Sequence, residues 1–225
     1  MKTDHPILFN GDMVRAILDG RKTQTRRVIK PQPENHDGYW FWWKGDWDTR
    51  GGPSAGICTH GTCGNGEATW TMKEIAEHSP YGVPGDLLWA REPFRINNWD
   101  SNLQRAIGTY TRDGQGFNCR LTDRERDKWL KWKKPYSSKS SLFMFKSLAR
   151  LWLKVKSVRV ERVQNISDMD AEKEGCLRIS TYRTDTPCLD HFRWLWNSIN
   201  KKRGFGWDVN PFVWVVEFER SKSNE

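Results

Sequence analysis

Hydrophobic residues fall in short periodic blocks separated by long polar stretches. From Phe9 to Gly20, Met13, Val14, Ile17 and Leu18 recur at helical spacing, Asn10 can cap the start, and Gly20 stands where a C-terminal glycine belongs. That segment predicts a short helix. Leu151–Val163 has the other period: Leu151, Leu153 and Val155 alternate with polar residues, then Val158 and Val160 resume after a slip. This predicts a long half-buried strand with room for a bulge near Ser157. Ser167 followed by Asp170 forms a capping box, predicting a helix to about Glu174 that Gly175 ends. Thr186-Pro187 opens another helix through Asn200, with Phe192, Leu195, Trp196 and Ile199 along one face. Leu87–Glu92 and the nearly all-apolar Phe212–Phe218 read as strands, and Val28-Ile29 as the start of one that Pro31 and Pro33 interrupt.

Residues 31–80 are rich in Gly, Asp, His and Trp and show no period, and residues 97–147 form a second long segment, containing a highly charged helix at 121–134 capped by Thr122 or Asp123. Both read as insertions into one domain spanning 1–225. Short helices among long antiparallel strands predict an α+β fold with a small mixed β-barrel rather than a doubly wound sheet.

Composition narrows the partners. The 225 residues carry a net charge of +9 and 14 tryptophans, and 36% are hydrophobic. No apolar run approaches the about 18 residues a spanning helix needs, so no membrane partner is expected. The N-terminal MKTDHPILFNGDMV lacks a signal peptide's apolar stretch, and a cytoplasmic location follows by default. Five loosely spaced cysteines point to reduced thiols. Basic charge attracts a polyanion and flat rings stack on bases; tryptophan equally fills cores, and dispersed charge equally aids solubility.

Five segments, ILDGRKTQTRR (17–27), PYGVPGDLLWARE (80–92), VRVERVQNISDMDAEKEG (158–175), FRWLWNSIN (192–200) and PFVWVVEFER (211–220), make the chain resemble the ASCH domain of the PUA-like superfamily, and most of all its larger, Trp-rich phage and prophage members. The resemblance covers the chain outside the two insertions. It implies a partly open barrel with short helices at its mouth and a cleft for a nucleobase, nucleoside or nucleic acid, RNA being favoured over DNA. Small bacterial members are amidohydrolases that deacetylate N4-acetylcytidine with a Lys and a Thr of a G-R-K-T-x-T motif and a Glu after the long strand. Gly20–Thr25 matches that motif, placing the catalytic residues at Lys22, Thr25 and Glu174, with Glu172 as the register alternative for the Glu. No cofactor is implied. Other members are proposed to bind or cleave RNA, and fold does not settle function. A non-catalytic reader of RNA or modified DNA, a ribonuclease and a phage assembly accessory protein therefore stand as alternatives.

Amide hydrolysis needs a nucleophile, a base and stabilisation of the oxyanion. A threonine needs a neighbouring base, and a lysine serves as one when desolvation or nearby cations favour its neutral form. Arg21, Arg26 and Arg27 crowd Lys22, and with Thr23 they form a basic, hydroxyl-rich turn that would bind substrate or simply attract anions. Glu92 could accept from a base's exocyclic amine or pair with Arg91 at the surface, and Trp89 lies on the same strand. Cys58, His60 and Cys63, with His78 or Cys119 as a fourth ligand, are weak zinc candidates, because one C-x-H-x-x-C lacks a paired half. Trp40, Trp42, Trp43 and Trp47, near Lys44 and Arg50, would stack bases or anchor the first insertion. Trp194, Trp196 and Trp214 read as structural. Lys128, Lys131, Lys133 and Lys134 with Trp129 and Trp132 form a phosphate-contacting surface or a solvated face.

Overall fold

The computed structural model describes residues 3–36, 39–41, 47–48, 52–53, 72–132, 137–178 and 185–221. In chain order the elements are β1 (Asp4–Leu8), α1 (Gly11–Leu18), β2 (Gln24–Val28), β3 (Glu34–His36), β4 (Tyr39–Phe41), β5 (Trp47–Asp48), β6 (Gly52–Pro53), α2 (Met72–Glu77) and β7 (Leu87–Arg91). There follow β8 (Phe94–Asp100), β9 (Arg105–Tyr110), β10 (Gly116–Arg120), α3 (Asp123–Lys131), β11 (Ser138–Lys139), β12 (Trp152–Arg162), α4 (Asp168–Lys173), α5 (Pro187–Asn200) and β13 (Phe212–Ser221).

The fold is mixed α+β. One five-stranded sheet has the order β1-β7-β12-β13-β2 and a second, four-stranded sheet the order β10-β9-β8-β11; β3 with β4 and β5 with β6 make two-stranded pairs. Among the described residues no sheet closes into a barrel, contrary to expectation, since β1 and β2 end the five-stranded order. Alternation of side chains reports which face of a strand is buried and carries no information about its edge partners. The chain separates into two compact units, Met1–Thr23 with Pro84–Val155 and Phe218–Glu225, and Gln24–Val83 with Lys156–Glu217.

In the first unit Asn10 caps α1 by accepting from the Met13 N–H at 2.8 Å. Val14, Ala16 and Ile17 are buried on one face, and Gly20 adopts a φ of +75°, which favours glycine at the helix exit. β1 pairs parallel to β7 from Asp4 opposite Leu87 to Leu8 opposite Arg91, and Leu88 of β7 lies opposite Leu153 of β12. The segment read as the second insertion, extended back to Phe94 and on to Leu148, supplies the four-stranded antiparallel sheet and a core of its own. Phe94, Ile96, Tyr110, Phe117, Trp129, Met144 and Leu148 are buried together there. Gly108 is required in it, because a Cβ would stand 2.3 Å from the Phe117 ring and 2.4 Å from the Arg95 carbonyl oxygen. Thr122 caps α3 through a full capping box with Glu125.

In the second unit β2 runs antiparallel to β13, with Thr25 opposite Val216 and Arg26 opposite Val215. Val213 and Val215 share a core with Val163, Ala171, Cys188, Phe192 and Trp196. Ser167 caps α4 as expected, accepting from the Asp170 N–H at 3.1 Å. Thr186 makes no side-chain cap on α5; Asp168 does that work, accepting from the N–H groups of Cys188 and Leu189, both at 2.9 Å. Two expectations shift. Extended backbone begins at Gln24, four residues before Val28, because pairing with β13 holds a polar sequence in a strand. Trp194 is exposed, whereas Trp196 and Trp214 are buried; Trp194 follows Phe192 by two positions and so turns away from the apolar face of α5. Among the described residues no helix is long and apolar enough to cross a membrane, and Cys119, Cys176 and Cys188 are thiols rather than disulfides.

Candidate functional site

The boundary between the units falls inside the G-R-K-T-x-T match, so Lys22 belongs to the first unit and Thr25 and Glu174 to the second. In the first unit the chain turns directly out of α1: the Arg21 and Lys22 N–H groups both donate to the Ala16 carbonyl at 2.9 Å. Arg21 is exposed and its Nη2 donates to Asp19 Oδ2 at 3.0 Å. Thr23 is exposed as well, and its carbonyl accepts from the Phe218 N–H at 2.9 Å. Lys22, between them, is 2% exposed.

The second unit buries a charge cluster around Arg26. Its side chain is fully enclosed; Nη1 donates to Glu174 Oε1 at 3.3 Å and Nη2 to Glu161 Oε2 at 3.2 Å, with Asp170 Oδ2 at 3.8 Å. The Arg26 Nε–H is buried without a hydrogen-bond partner. Arg159 serves the same acids, with Nε 2.5 Å from Glu161 Oε1, Nη1 2.6 Å from Glu217 Oε1 and Nη2 3.9 Å from Asp170 Oδ2. The Gln24 amide, oriented to satisfy both ends, accepts from Arg26 Nη1 and donates to Glu217 Oε1 at 3.3 Å. Among the described residues, Glu161, Asp170, Glu174 and Glu217 share Arg26 and Arg159, Lys173 Nζ lies 3.4 Å from Asp170 Oδ1, and the charge of Glu174 also acts on Arg27.

Burial alone would raise the Glu217 carboxyl's pKa. Hydrogen bonds from Arg159 and Ser157, with the charges of Arg159 and Lys173, outweigh burial and hold it below its usual value. Desolvation lowers the Arg27 pKa, opposed by Tyr81 and Glu174, and burial raises the Tyr81 phenol. Strand alternation sends Thr25 and Arg27 to the face opposite Gln24 and Arg26. Thr25 is 1% exposed and Glu174 6%. Glu174 ends α4, its N–H donating to the Asp170 carbonyl at 2.9 Å. Glu172, the register alternative, instead turns outward to Arg178 Nη2 at 3.4 Å. The expected crowding of Lys22 by bare cations is therefore modified: Arg21 and Arg26 are both matched by carboxylates.

Glu92 and Trp89 belong to the first unit. Glu92 is 1% exposed and both its oxygens are taken, by Arg150 Nε at 2.8 Å and Arg150 Nη2 at 2.7 Å. It is neither a surface partner of Arg91 nor an acceptor with a spare oxygen. Arg150 Nη1 also reaches Asp113 Oδ2 at 2.7 Å and Gln115, and its guanidinium lies 3.9 Å from the Tyr110 ring centroid. Trp89 is half-buried under the Arg91 guanidinium, 5.4 Å from the ring centroid.

Sequence reading missed Arg159, Glu161, Glu217 and Arg150. A signal existed for the first two: oppositely charged residues two apart on a strand share a face and can pair there. Cys58, His60 and Cys63 lie outside the described residues, as do Trp42, Trp43, Lys44, Arg50, Lys133, Lys134 and the side chains of Trp40 and Trp47. Of the proposed fourth ligands, His78 belongs to the second unit, while Cys119 lies against the first unit's core. Among the described residues no three His, Cys, Asp or Glu side chains are grouped to hold a metal ion. Trp129 is buried, so the patch on α3 presents Lys128 and Lys131 beside half-buried Trp132. Compared with protein-family models, curated proteins and solved structures, the chain has no match.

Proposed function

We propose that the chain is a cytoplasmic amidohydrolase of ASCH, PUA-like type that binds a modified nucleoside or nucleic acid and removes the acyl group from an N4-acylated cytosine. The observation that carries this reading is the burial of an amine, a hydroxyl and a carboxylate at the three motif positions, with Lys22 at 2%, Thr25 at 1% and Glu174 at 6% exposure. Burial of such groups costs free energy that ordinary surface positions avoid, and a desolvated lysine is one way a hydroxyl nucleophile acquires its base.

In the proposed reaction Thr25 Oγ1 attacks the acyl carbon while Lys22 Nζ takes its proton. The C–N4 bond breaks, and the proton passes to the departing amine with Glu174 donating or orienting. Water then attacks the acyl ester, releasing the carboxylic acid and restoring Thr25. Arg26 is a positioning residue through its bond to Glu174. The test is incubation with N4-acetylcytidine, free and within RNA, with cytidine measured chromatographically. Thr25→Ala and Lys22→Ala are each expected to abolish release while leaving the thermal transition in place. Wild-type protein that leaves both substrates intact overturns the reading.

A further inference from the structure

The first unit carries a second feature, built from residues on the edge of the 97–147 segment and independent of the motif residues. A cleft of about 390 Å³ is lined by Arg91, Lys128, Lys131, Trp132 and the 142–145 stretch. Its floor is aromatic: Trp132 stacks on Phe145 at 5.1 Å with planes 2° apart, and Phe143 meets Trp132 edge-on at 6.4 Å. Trp132 and Phe145 also pack on the buried core, but Leu142 and Phe143 remain 60% and 56% exposed. Core packing therefore does not account for those two.

The rim is basic. Among the described residues no carboxylate lines the cleft. The acids of α3 are engaged elsewhere: Asp123 and Asp127 by Arg126, and Glu125 by Thr122 and Ser147. Among the described residues Arg91, Lys128 and Lys131 have no ion-pair partner. Burial also lowers the Arg91 pKa; its charge is under-solvated and gains from an anion. An exposed ring beside unmatched cations suits an occupant that is planar and apolar on one side and polyanionic on the other, which describes single-stranded nucleic acid.

We propose that this cleft is a docking groove for single-stranded RNA, its bases stacking on the exposed Phe143 ring and its phosphates meeting Lys128, Lys131 and Arg91. The choice of RNA over DNA rests on the nucleoside reading above; the groove itself does not depend on deacylation. The experiment is fluorescence anisotropy of a labelled ten-residue oligouridine with the full chain, between 50 and 200 mM salt. Lys128→Gln with Lys131→Gln is expected to weaken binding at least tenfold at low salt and to reduce the log–log salt slope by about 1.4, at about 0.7 per phosphate contact. Phe143→Ala, at an exposed position, is expected to weaken binding about five- to tenfold with the slope unchanged. Oligouridine binding as tightly as oligothymidine, or more tightly, fits a groove that reads stacking and phosphate. Three outcomes overturn the proposal: affinity unmoved by either variant, a tenfold preference for oligothymidine, or a labelled oligoglutamate bound as tightly as the RNA. Because the readout is binding, failure of the deacylation assay leaves it intact, and loss of binding leaves free-nucleoside turnover untouched.

Discussion

Arg150 in the first unit and Arg26 in the second are both enclosed arginines, and they are partnered in opposite ways. Arg150 has all three nitrogens engaged: it forks onto both oxygens of Glu92, reaches Asp113 and Gln115, and lies over Tyr110. Tyr110 in turn donates to the Leu148 carbonyl at 2.7 Å. Arg26 is more completely buried, yet its bonds to Glu161 and Glu174 are longer and its Nε–H has no acceptor. A closed bidentate pair with every guanidinium nitrogen engaged stabilises one geometry. A buried cluster of longer, shared bonds with an orphaned donor is a less economical way to hold a fold, and such unsatisfied groups concentrate where chemistry needs them. The first arrangement is a structural clasp; the second lies beside the motif.

The sharpest way to break the contrast is to remove the fully engaged arginine. Arg150→Met strands Glu92 as an unpaired charge that is 1% exposed. The expected loss is about 3–5 kcal/mol, the usual consequence of leaving a buried partner uncompensated. Urea unfolding of the variant against wild type measures it, and a loss below about 1 kcal/mol would show that water reaches Glu92.

A matched pair of substitutions sharpens the comparison. Glu92→Gln removes the charge from a bidentate pair, with an expected cost of about 2–3 kcal/mol, typical of a hydrogen bond to a charged group. Glu174→Gln removes one carboxylate from a cluster in which Arg26 keeps Glu161 and Asp170. Its expected cost is under about 1 kcal/mol, because relieving like-charge repulsion offsets the lost bond. Deacylation, by contrast, is expected to fall with Glu174→Gln and to persist with Glu92→Gln. Equal stability losses, or equal activities, would erase the distinction between clasp and site.

What could be read from the sequence follows the same division. α5 was legible because its signals are local: Pro187 at the first turn, then Phe192 and Trp196 four apart. β13 was legible because Phe212 to Val216 is apolar on both faces. β2 was not, because Thr25, Arg26 and Arg27 look like a solvated turn until β13 pairs with them and acids arrive from 135 and 148 residues away. The sheet built around residues 97–147 escaped for a different reason. Its strands are two to seven residues long, too short for alternation to rise above composition. The motif drew attention to Lys22, Thr25 and Glu174, but their burial depends on tertiary packing that no local pattern encodes.

The smallest effect expected is the acid response, and it too differs between the regions. On Glu217 and Asp113 burial pushes the carboxyl pKa up. For Glu217 the bonds and charge of Arg159, and for Asp113 those of Arg150, outweigh burial and leave each below the usual range. A carboxyl depressed in the folded state contributes stability that is fully present above its unfolded pKa, about 4, and is lost as pH falls through the folded value. Stability against urea should therefore hold from pH 7 to about 5 and decline below about 4. Both groups are more than a third exposed, so each contributes within the range of about 0–1 kcal/mol that solvent leaves to such pairs. Arg159→Gln should raise the Glu217 titration midpoint, followed by carboxyl NMR shifts, and leave that of Asp113 where it is. If both midpoints moved together, the two clusters would be one electrostatic system, and the separation of clasp from site drawn above would fail.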